Sequence, residues 1–369
     1  MTLPLDAYYL AAAAAAFFIT FALTPLVRSA GRRLGFMDAV NPAKIHTAPM
    51  VRCGGAAIFL SFMVTIALAL AALFSAPAHF APPGTAAHLA NIPAMAPRIA
   101  ALLGGATLLF LTGLADDRFN LRPLTKLTLQ IVSALPLVAA GITIKCFIPG
   151  VLPSALLTIA WVVLLTNAFN FLDNMNGLTS GVAVVCALNF FLVSRLGGEF
   201  FMMAMFAVLL GSIAGFIPWN FPRARLFMGD SGSLFIGYML AALSILVTYY
   251  REGVPTQLPV VAPLVILGVP IFDSASVMFI RWRRGLPLMK GDQNHFSHRL
   301  VALGFSRPGA VLFIHLVTLT VGLSAVNLPR LGWAGAAIAL VQVMLFFLLI
   351  FVLESVGKRR MENAAREAR

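Results

Sequence analysis

The sequence predicts an all-α polytopic integral membrane protein. Of its 369 residues, 60% are hydrophobic and only 11% are charged, whereas a soluble domain averages about 25% charged residues. The hydrophobic residues fall in blocks of about 20, the length that crosses a hydrocarbon core of roughly 30 Å. These observations exclude a water-soluble fold and predict a single integral membrane domain over residues 1–369.

About eleven transmembrane helices are expected, because short polar loops separate that many apolar blocks. The predicted spans are 7–27, 54–74, 99–115, 126–141, 154–169, 180–196, 201–219, 232–250, 260–280, 309–327 and 332–353. The cysteines are too few and too scattered for a disulfide framework or a thiolate metal site. We therefore expect Cys53, Cys146 and Cys186 to be packing residues.

The positive charges predict the orientation of the chain. The net charge is +13, and the cytoplasmic loops of membrane proteins are enriched in Lys and Arg. Most of the 26 basic residues fall in the C-terminal tail or in loops after odd-numbered spans; the exceptions are Arg98, Lys145, Arg195, Arg251 and Arg330. The N-terminus is therefore predicted outside and the C-terminus in the cytoplasm. Basic residues lie beside carboxylates at one membrane face. This pattern indicates membrane lipids and phosphate as partners, and not nucleic acid.

Asp116 and Asp117 are adjacent carboxylates at the cytoplasmic end of the third span, in LADDRFNLRPLTK. Neighbouring residues on a helix point about 100° apart, so the two cannot face one ligand equally. One can hold a metal while the other holds or deprotonates a nucleophile. The alternative is a solvated helix end in which Arg118 is the partner.

A polar stripe is predicted in TNAFNFLDNMNGLTSG, at 166–181, where Asn167, Asn170, Asp173 and Asn176 recur every three residues. This spacing aligns side chains along one side of a helix. Polar groups at the end of a membrane helix are costly unless they find partners, and this loop carries no Lys or Arg. A polar ligand site is favoured, and hydrogen bonding between helices is the alternative.

Asp230 lies just before the eighth span, in RLFMGDSGSLFIGY. Ser231 can cap the helix that follows, whose N-terminal amides would then face the same cavity as the carboxylate. An anion can approach this helix end while Asp230 holds a bridging Mg²⁺. The alternative is a turn that serves only as a cap.

His295 and His298 lie three residues apart beside Arg299 in KGDQNHFSHRL, within the longest cytoplasmic loop. Two histidines without a cysteine make a weak zinc site, so contacts to phosphate are expected instead. Asp273 lies inside the ninth span and is therefore a functional candidate, with a buried pair to a basic residue as the alternative.

Lys44 and His46 lie in the first cytoplasmic loop, in NPAKIHTAPMVRCGG, where anchoring to anionic lipid is the alternative role. All five motifs fall on one predicted membrane face, which independent structural explanations would not produce. The rival function is a transporter of an anionic metabolite or a lipid-linked sugar. That function predicts discontinuous helices in paired halves and charges near the midplane, where only Asp273 lies.

The chain resembles the polyprenyl-phosphate N-acetylhexosamine-1-phosphate transferases in six ordered motifs between Asp38 and about Arg307. These are KIHTAPMVRCGG, GLADDRFNLRPLTK, NAFNFLDNMNGLTSG, FMGDSGS, PIFD and DQNHFSHRL. The resemblance implies transfer of a sugar-1-phosphate from a UDP-sugar to undecaprenyl phosphate, with release of UMP, to initiate cell-envelope glycan synthesis. It also implies Mg²⁺, with Mn²⁺ as an alternative, and an active site at the cytoplasmic face of a bacterial inner membrane. The FMGDSGS and HFSHR forms are closer to the N-acetylglucosamine branch.

The resemblance also implies a role for each motif. Asp230 would be the Mg²⁺ ligand, and Asp116 and Asp117 would hold the lipid phosphate or remove its proton. Asn170 and Asp173 would line the nucleotide and diphosphate pocket. Phe227 would pack on the uracil ring. The residues that would contact phosphate or sugar are Lys44, His46, His295, His298 and Arg299.

Three departures from the family pattern concern substrate subtype more than reaction class. In the D-G-x-D-G element Asn176 replaces the second aspartate and Asn174 the glycine. Since an amide binds Mg²⁺ weakly, Asn176 is expected to contact the nucleotide. Ser297 stands where many members have His, and Val51 where Pro is common. A homodimer and a catalytically weakened scaffold stay open as alternatives.

Overall fold

The computed structural model describes residues 5–38, 49–75, 92–145, 150–249, 258–286 and 294–367. This part of the chain is mostly helical. The chain folds as two compact units, Met1–Thr248 and Tyr249–Arg369. Cys53 and Cys186 are buried, as expected of packing residues, whereas Cys146 lies outside the described residues.

The first unit is a helical bundle with one pair of short antiparallel strands. Its described helices are α1 (Leu5–Arg33), α2 (Gly55–Ser75), α3 (Ile92–Phe119), α4 (Pro123–Ala139), α5 (Val151–Leu172), α6 (Leu178–Leu196), α7 (Phe200–Ala214), α8 (Ile217–Asn220) and α9 (Asp230–Leu246). Two antiparallel strands, β1 (Met37–Asp38) and β2 (Met50–Val51), place Met37 opposite Val51.

The central helix of this bundle is α9, which packs against α2, α3 and α5. Every residue from Asp230 to Ser244 is buried, and a helix that is apolar all round belongs at the centre of a core. Its first residue is Asp230, so the surrounding helices enclose a carboxylate at the N-terminal end of α9.

The second unit contains α10 (Ala262–Ile266), α11 (Gly268–Arg283), α12 (Phe296–Ala302), α13 (Arg307–Asn327) and α14 (Trp333–Glu367). Short 3₁₀ turns precede α10 and follow α13, at Leu258–Val261 and Leu328–Arg330. The predicted span over 260–280 is not one continuous helix, because the helix is interrupted at Leu267. Pro270 has no N–H to donate to the carbonyl four residues earlier, which favours this break.

Eight helical segments among the described residues are long and apolar enough to cross a membrane. Two more predicted spans coincide with α4 and α9, which are shorter apolar helices of 17 residues each. The interrupted pair α10 and α11 coincides with the ninth predicted span. The prediction of a polytopic, helical membrane protein is therefore confirmed.

Candidate active site

Three carboxylates and two cations form a connected cluster at the N-terminal end of α9. Arg52 places Nη2 against Oδ1 of Asp230 and Nε 3.1 Å from Oδ1 of Asp117. Lys126 places Nζ 3.0 Å from Oδ2 of Asp116 and 3.1 Å from Oδ2 of Asp230. Asp230 is thus the carboxylate that both cations share. Buried charges need such partners, since an unpaired ion in a low dielectric is strongly unfavourable.

Asp117 acts as the cap of α9 from another helix. Its Oδ1 accepts the backbone N–H of Asp230 at 2.8 Å, and its Oδ2 accepts that of Ser231 at 3.0 Å. A carboxylate at a helix N-terminus satisfies orphan amides and is favoured by the helix dipole. Gly229 makes room for it, with φ of +75° and a position where a Cβ would lie 2.5 Å from Oδ2 of Asp117.

The prediction that Ser231 caps α9 is wrong. The N-cap residue is Gly229, which has no side chain that could cap the helix. Within the described ranges, the Ser231 hydroxyl is buried without a hydrogen-bond partner. The anion at this helix end is instead the Asp117 carboxylate, so the first amides of α9 are already satisfied by the protein.

A close contact between α3 and α9 brings the aspartates together. Gly113 lies one turn before Asp116 and Asp117, and a Cβ there would overlap the backbone carbonyl of Asp230. Because glycine has no Cβ, the two backbones approach directly. The end of α3 therefore meets the start of α9, although the two segments are far apart in the sequence.

The turn between α3 and α4 brings Lys126 back to Asp116. Asp116 accepts the backbone N–H of Leu121 through Oδ1 at 2.7 Å, and Asn120 adopts φ of +53°. Pro123 starts α4, in the position where proline's fixed φ and missing N–H suit a helix. Lys126 then lies in the first turn of α4 and faces the carboxylate.

Arg52 is held by a backbone link to the FMGDSGS segment. Phe227 donates its N–H to the Val51 carbonyl, and Gly54 donates to the Phe227 carbonyl, both at 2.9 Å. Burial alone would lower the pKa of the Arg52 guanidinium, but the carboxylates of Asp230 and Asp117 outweigh it and hold that pKa above its ordinary value. Phe227 is half-buried beside this link, so the residue predicted to pack on uracil lies next to the cluster.

The predicted polar stripe holds for only part of its length. α5 ends at Leu172, so the helical spacing does not continue to Asn176. Asn167 exchanges hydrogen bonds with Gln130 of α4, at 2.7 and 3.3 Å, and Asn170 donates to the Ser233 hydroxyl at 3.0 Å. The alternative of hydrogen bonding between helices is therefore realised at these two asparagines.

Asp173 and Asn176 lie in the turn that follows α5. Burial raises the pKa of Asp173 to about 7, against the opposing attraction of the Arg52 guanidinium. That mutual influence places Asp173 within electrostatic range of the cluster. Asn176 lies with Nδ2 3.5 Å from the Pro222 carbonyl, and the neighbouring Gly177 N–H donates to Oδ1 of Asn220 at 2.6 Å.

The second unit contains a polar cluster around Asp273. This carboxylate is fully buried, with Oδ2 2.8 Å from Nδ1 of His295 and Oδ1 accepting the Phe296 N–H at 2.6 Å. The alternative predicted for Asp273, a buried pair with a basic residue, is thus what the structure contains. His295 was predicted to contact phosphate, but only 4% of it is exposed, because its ring packs against Asp273.

Of the remaining predicted residues, the structure describes Arg299 and His298 but not Lys44 and His46. Arg299 donates to the Ser276 hydroxyl at 3.1 Å and to the Asn294 carbonyl at 2.5 Å, and His298 is half-buried on the same short helix. Lys44 and His46 lie outside the described residues.

The sequence analysis did not single out Arg52 and Lys126 as site residues. Each nevertheless stands in a predicted motif: Arg52 in PMVRCGG and Lys126 in LRPLTK.

The donor set of the first cluster fits a magnesium ion. Mg²⁺ is commonly bound by one or two carboxylates together with waters and substrate phosphates. Asp230 and Asp116 share the Lys126 ammonium, so they are the pair of carboxylates that would hold it. Within the described ranges no group of three His, Cys, Asp or Glu side chains is arranged for a metal.

The fold and this cluster define a class: a multi-pass membrane protein with a carboxylate-rich polar site at the end of a buried helix. Residues 99–248 match the family described as glycosyl transferase family 4, a range that includes Asp116, Asp117, Lys126 and Asp230. The chain is 30% identical to the probable undecaprenyl-phosphate N-acetylglucosaminyl 1-phosphate transferase of Bacillus subtilis, covering 89% of this chain and 86% of that protein.

Two further relatives carry related names. The decaprenyl-phosphate N-acetylglucosaminephosphotransferase of Mycobacterium tuberculosis is 34% identical, over 81% of this chain and 77% of that protein. The undecaprenyl-phosphate alpha-N-acetylglucosaminyl 1-phosphate transferase of Thermotoga maritima is 29% identical, over 76% and 78%. The chain belongs to the family of polyprenyl-phosphate N-acetylhexosamine-1-phosphate transferases.

Proposed function

We propose that this protein transfers N-acetylglucosamine-1-phosphate from UDP-N-acetylglucosamine to undecaprenyl phosphate and releases UMP. The observation that carries the proposal is the cluster in which Arg52 and Lys126 both bind Asp230. This cluster brings together three of the family-like motifs, KIHTAPMVRCGG, GLADDRFNLRPLTK and FMGDSGS. The names of the relatives describe transfer to polyprenyl phosphates. The product would initiate lipid-linked cell-envelope glycan synthesis.

The reaction exchanges one phosphorus–oxygen bond for another. An oxygen of the polyprenyl phosphate attacks the β-phosphorus of the UDP-sugar, and the bond from that phosphorus to the bridging oxygen breaks. The bonding electrons leave with UMP, and the sugar keeps its bond to the transferred phosphate. Since two anions must meet, catalysis depends mainly on positioning and on compensation of charge.

The residues of the cluster supply those two functions. Arg52 and Lys126 would compensate the charge of the phosphates, with Arg52 suited to bidentate contact. Asp116 and Asp117 would hold the acceptor phosphate or remove its proton, and Asp117 also fixes Asp230 through the amides of α9. Mg²⁺, held by Asp230 and Asp116, would supply Lewis-acid stabilisation of the developing charge when bound.

The residues around the cluster would bind the donor. Asn170, Asp173 and Asn176 would contact the nucleotide and diphosphate, and Phe227 would pack on the uracil ring. In the second unit, His298 would contact phosphate or sugar. Lys44 and His46 keep the same predicted role.

The topology proposed for this function has eleven crossings, the N-terminus outside and the C-terminus in the cytoplasm. The basic loops after the odd-numbered spans support it, because Lys and Arg are retained on the cytoplasmic side. The site would then face the cytoplasm of a bacterial inner membrane, where a soluble nucleotide sugar can meet a lipid phosphate. A homodimer stays an open alternative for the assembly.

The test is transfer of labelled sugar phosphate into extractable lipid by purified protein in vesicles that contain undecaprenyl phosphate. UDP-N-acetylglucosamine and UDP-N-acetylgalactosamine are compared, with and without Mg²⁺ or Mn²⁺. Mg²⁺-dependent labelled lipid from UDP-N-acetylglucosamine, with equal release of UMP, is the expected result. Neither lipid product nor UMP from a broad panel of UDP-sugars would contradict the proposal, and uptake of label without UMP would favour the transporter alternative.

A further inference from the structure

The start of α12 is bound to α11 by one carboxylate that accepts two hydrogen bonds. Asp273 accepts from the His295 imidazole through Oδ2 and from the Phe296 N–H through Oδ1, at 2.8 and 2.6 Å. Phe296 is the first residue of α12. A fully buried carboxylate is unfavourable unless its oxygens have partners, so both bonds are needed for Asp273 to remain inside the fold.

A second contact one turn further along α11 binds Arg299. The Ser276 hydroxyl donates to the Asp273 carbonyl at 2.9 Å, which leaves its lone pairs to accept from Arg299 at 3.1 Å. Residues three apart on a helix lie on the same face. Asp273 and Ser276 therefore hold the two ends of the segment 295–299 from one face of α11.

The ring of Phe296 anchors the same segment in the apolar core of this unit. It is fully buried and meets Phe272 edge-on, with ring centroids 5.9 Å apart. Phe272 in turn stacks on Phe347 of α14 at 5.0 Å. Polar and apolar contacts thus fix the backbone on both sides of His298, while the His298 side chain is half-buried.

We propose that Asp273 is a positioning residue that fixes His295 and the first turn of α12, and thereby sets the position of His298 for substrate. The inference rests on the proposed function, in which His298 contacts phosphate or sugar. It also assigns His295 a new role: its imidazole is a link between α11 and α12 rather than a substrate contact.

The amide and alanine variants of Asp273 separate the loss of its charge from the loss of its hydrogen bonds. In Asp273→Asn the carbonyl oxygen can still accept from Phe296, and the amide can donate to Nδ1 of His295 once the imidazole carries its proton on Nε2. Asp273→Ala removes both bonds. Ser274→Ala is the matched control, since the Ser274 hydroxyl is buried on the same helix without a hydrogen-bond partner in the described part of the chain.

The kinetic test is a double-mutant cycle between Asp273 and His298, measured as kcat/KM for the UDP-sugar. If Asp273 acts through His298, Asp273→Ala lowers kcat/KM about tenfold in the otherwise unaltered protein but less than about twofold in the His298→Ala background. Asp273→Asn should retain most of the kcat/KM of the unaltered protein, and Ser274→Ala should leave kcat/KM unchanged. Equal losses in both backgrounds would overturn the inference, because a purely structural defect does not depend on His298.

A second readout does not require activity and so separates this inference from the proposed function. Amide hydrogen exchange of Phe296 to Leu300 in the full-length protein should be about tenfold faster in Asp273→Ala than in the unaltered protein, Asp273→Asn or Ser274→Ala. If the unaltered protein transfers no sugar phosphate, the proposed function fails, and exchange alone decides whether Asp273 holds α12. Unchanged exchange in Asp273→Ala would overturn the inference whatever the activity.

Discussion

Asp117 accepts the backbone N–H of Asp230 at 2.8 Å, so a carboxylate at the end of α3 holds in place the carboxylate that begins α9. The same Asp117 side chain also accepts from Ser231 and pairs with Arg52. Its position therefore affects the whole cluster: α3 supplies the cap, α9 supplies the central carboxylate, and Arg52 connects them. Changes at Asp117 should act on stability and on activity together.

Replacement of Asp117 by alanine should destabilise the protein. Two amides at the N-terminus of α9 and the Arg52 guanidinium would lose an acceptor, and each unsatisfied buried group costs about 1–3 kcal/mol. The midpoint of thermal unfolding in detergent should fall for Asp117→Ala. The comparison is Asp6→Ala, which breaks an exposed pair with Arg195 and should shift the midpoint little. Equal midpoints for the two variants would contradict the capping role.

Replacement of Arg52 by lysine should reduce transfer although the positive charge is kept. Arg52 reaches Asp117 and Asp230 through different nitrogens, whereas the lysine ammonium is a point donor that cannot copy that fork. A loss of at least about tenfold in kcat/KM is expected. Arg33→Lys, at the exposed end of α1, is the matched control and should match the unaltered protein. Full activity of Arg52→Lys would remove the bridging geometry from the mechanism.

Two glycines of α3 should respond oppositely to alanine. A Cβ at Gly113 would overlap the Asp230 carbonyl, whereas none of the neighbouring atoms described lies within 4 Å of a Cβ at Gly104. Gly104→Ala should be neutral or stabilising by up to about 1 kcal/mol, as expected for alanine in a helix. Gly113→Ala should cost about 1–3 kcal/mol through overpacking and lower transfer. Measuring unfolding midpoint and kcat/KM for both variants checks this, and identical behaviour would contradict the close contact.

The pH dependence of stability should change when Asp173 becomes asparagine. Burial raises the pKa of Asp173 from 3.8 to about 7, so the folded protein binds this proton more tightly than the unfolded chain does. The stability contributed by this proton is present at acid pH and is lost as the pH rises toward 7. Between about pH 5 and pH 8 the unfolding midpoint should therefore fall more for the unaltered protein than for Asp173→Asn. Parallel curves would contradict a raised pKa.

Much of the helical architecture can be predicted from hydropathy, because each crossing requires its own apolar run. The exception is the ninth predicted span, where the run 260–280 is mostly apolar but Pro270 breaks the hydrogen-bond ladder. Asn167 and Asn170 also follow helical spacing as predicted, and the spacing fails only after Leu172, where the helix ends.

The partners within the site are harder to predict than its members. Asp116, Asp117 and Asp230 can each be identified from its motif, and the structure joins them in one cluster. The cations that join them cannot, since Arg52 and Lys126 are 178 and 104 residues from Asp230. Local periodicity carries no information about such pairs. They form because buried carboxylates require cations, and the fold decides which ones are near.

The most direct test of the proposed active site is transfer of labelled N-acetylglucosamine-1-phosphate to undecaprenyl phosphate by Asp230→Asn in vesicles. Arg52 and Lys126 bind different oxygens of Asp230, so an amide would present its NH₂ group to one of the two cations, and it binds Mg²⁺ weakly. A loss of at least about a hundredfold in kcat is expected, in protein that still unfolds cooperatively in detergent. Activity within about twofold of the unaltered protein, at the same Mg²⁺ concentration, would contradict the assignment of this cluster as the active site.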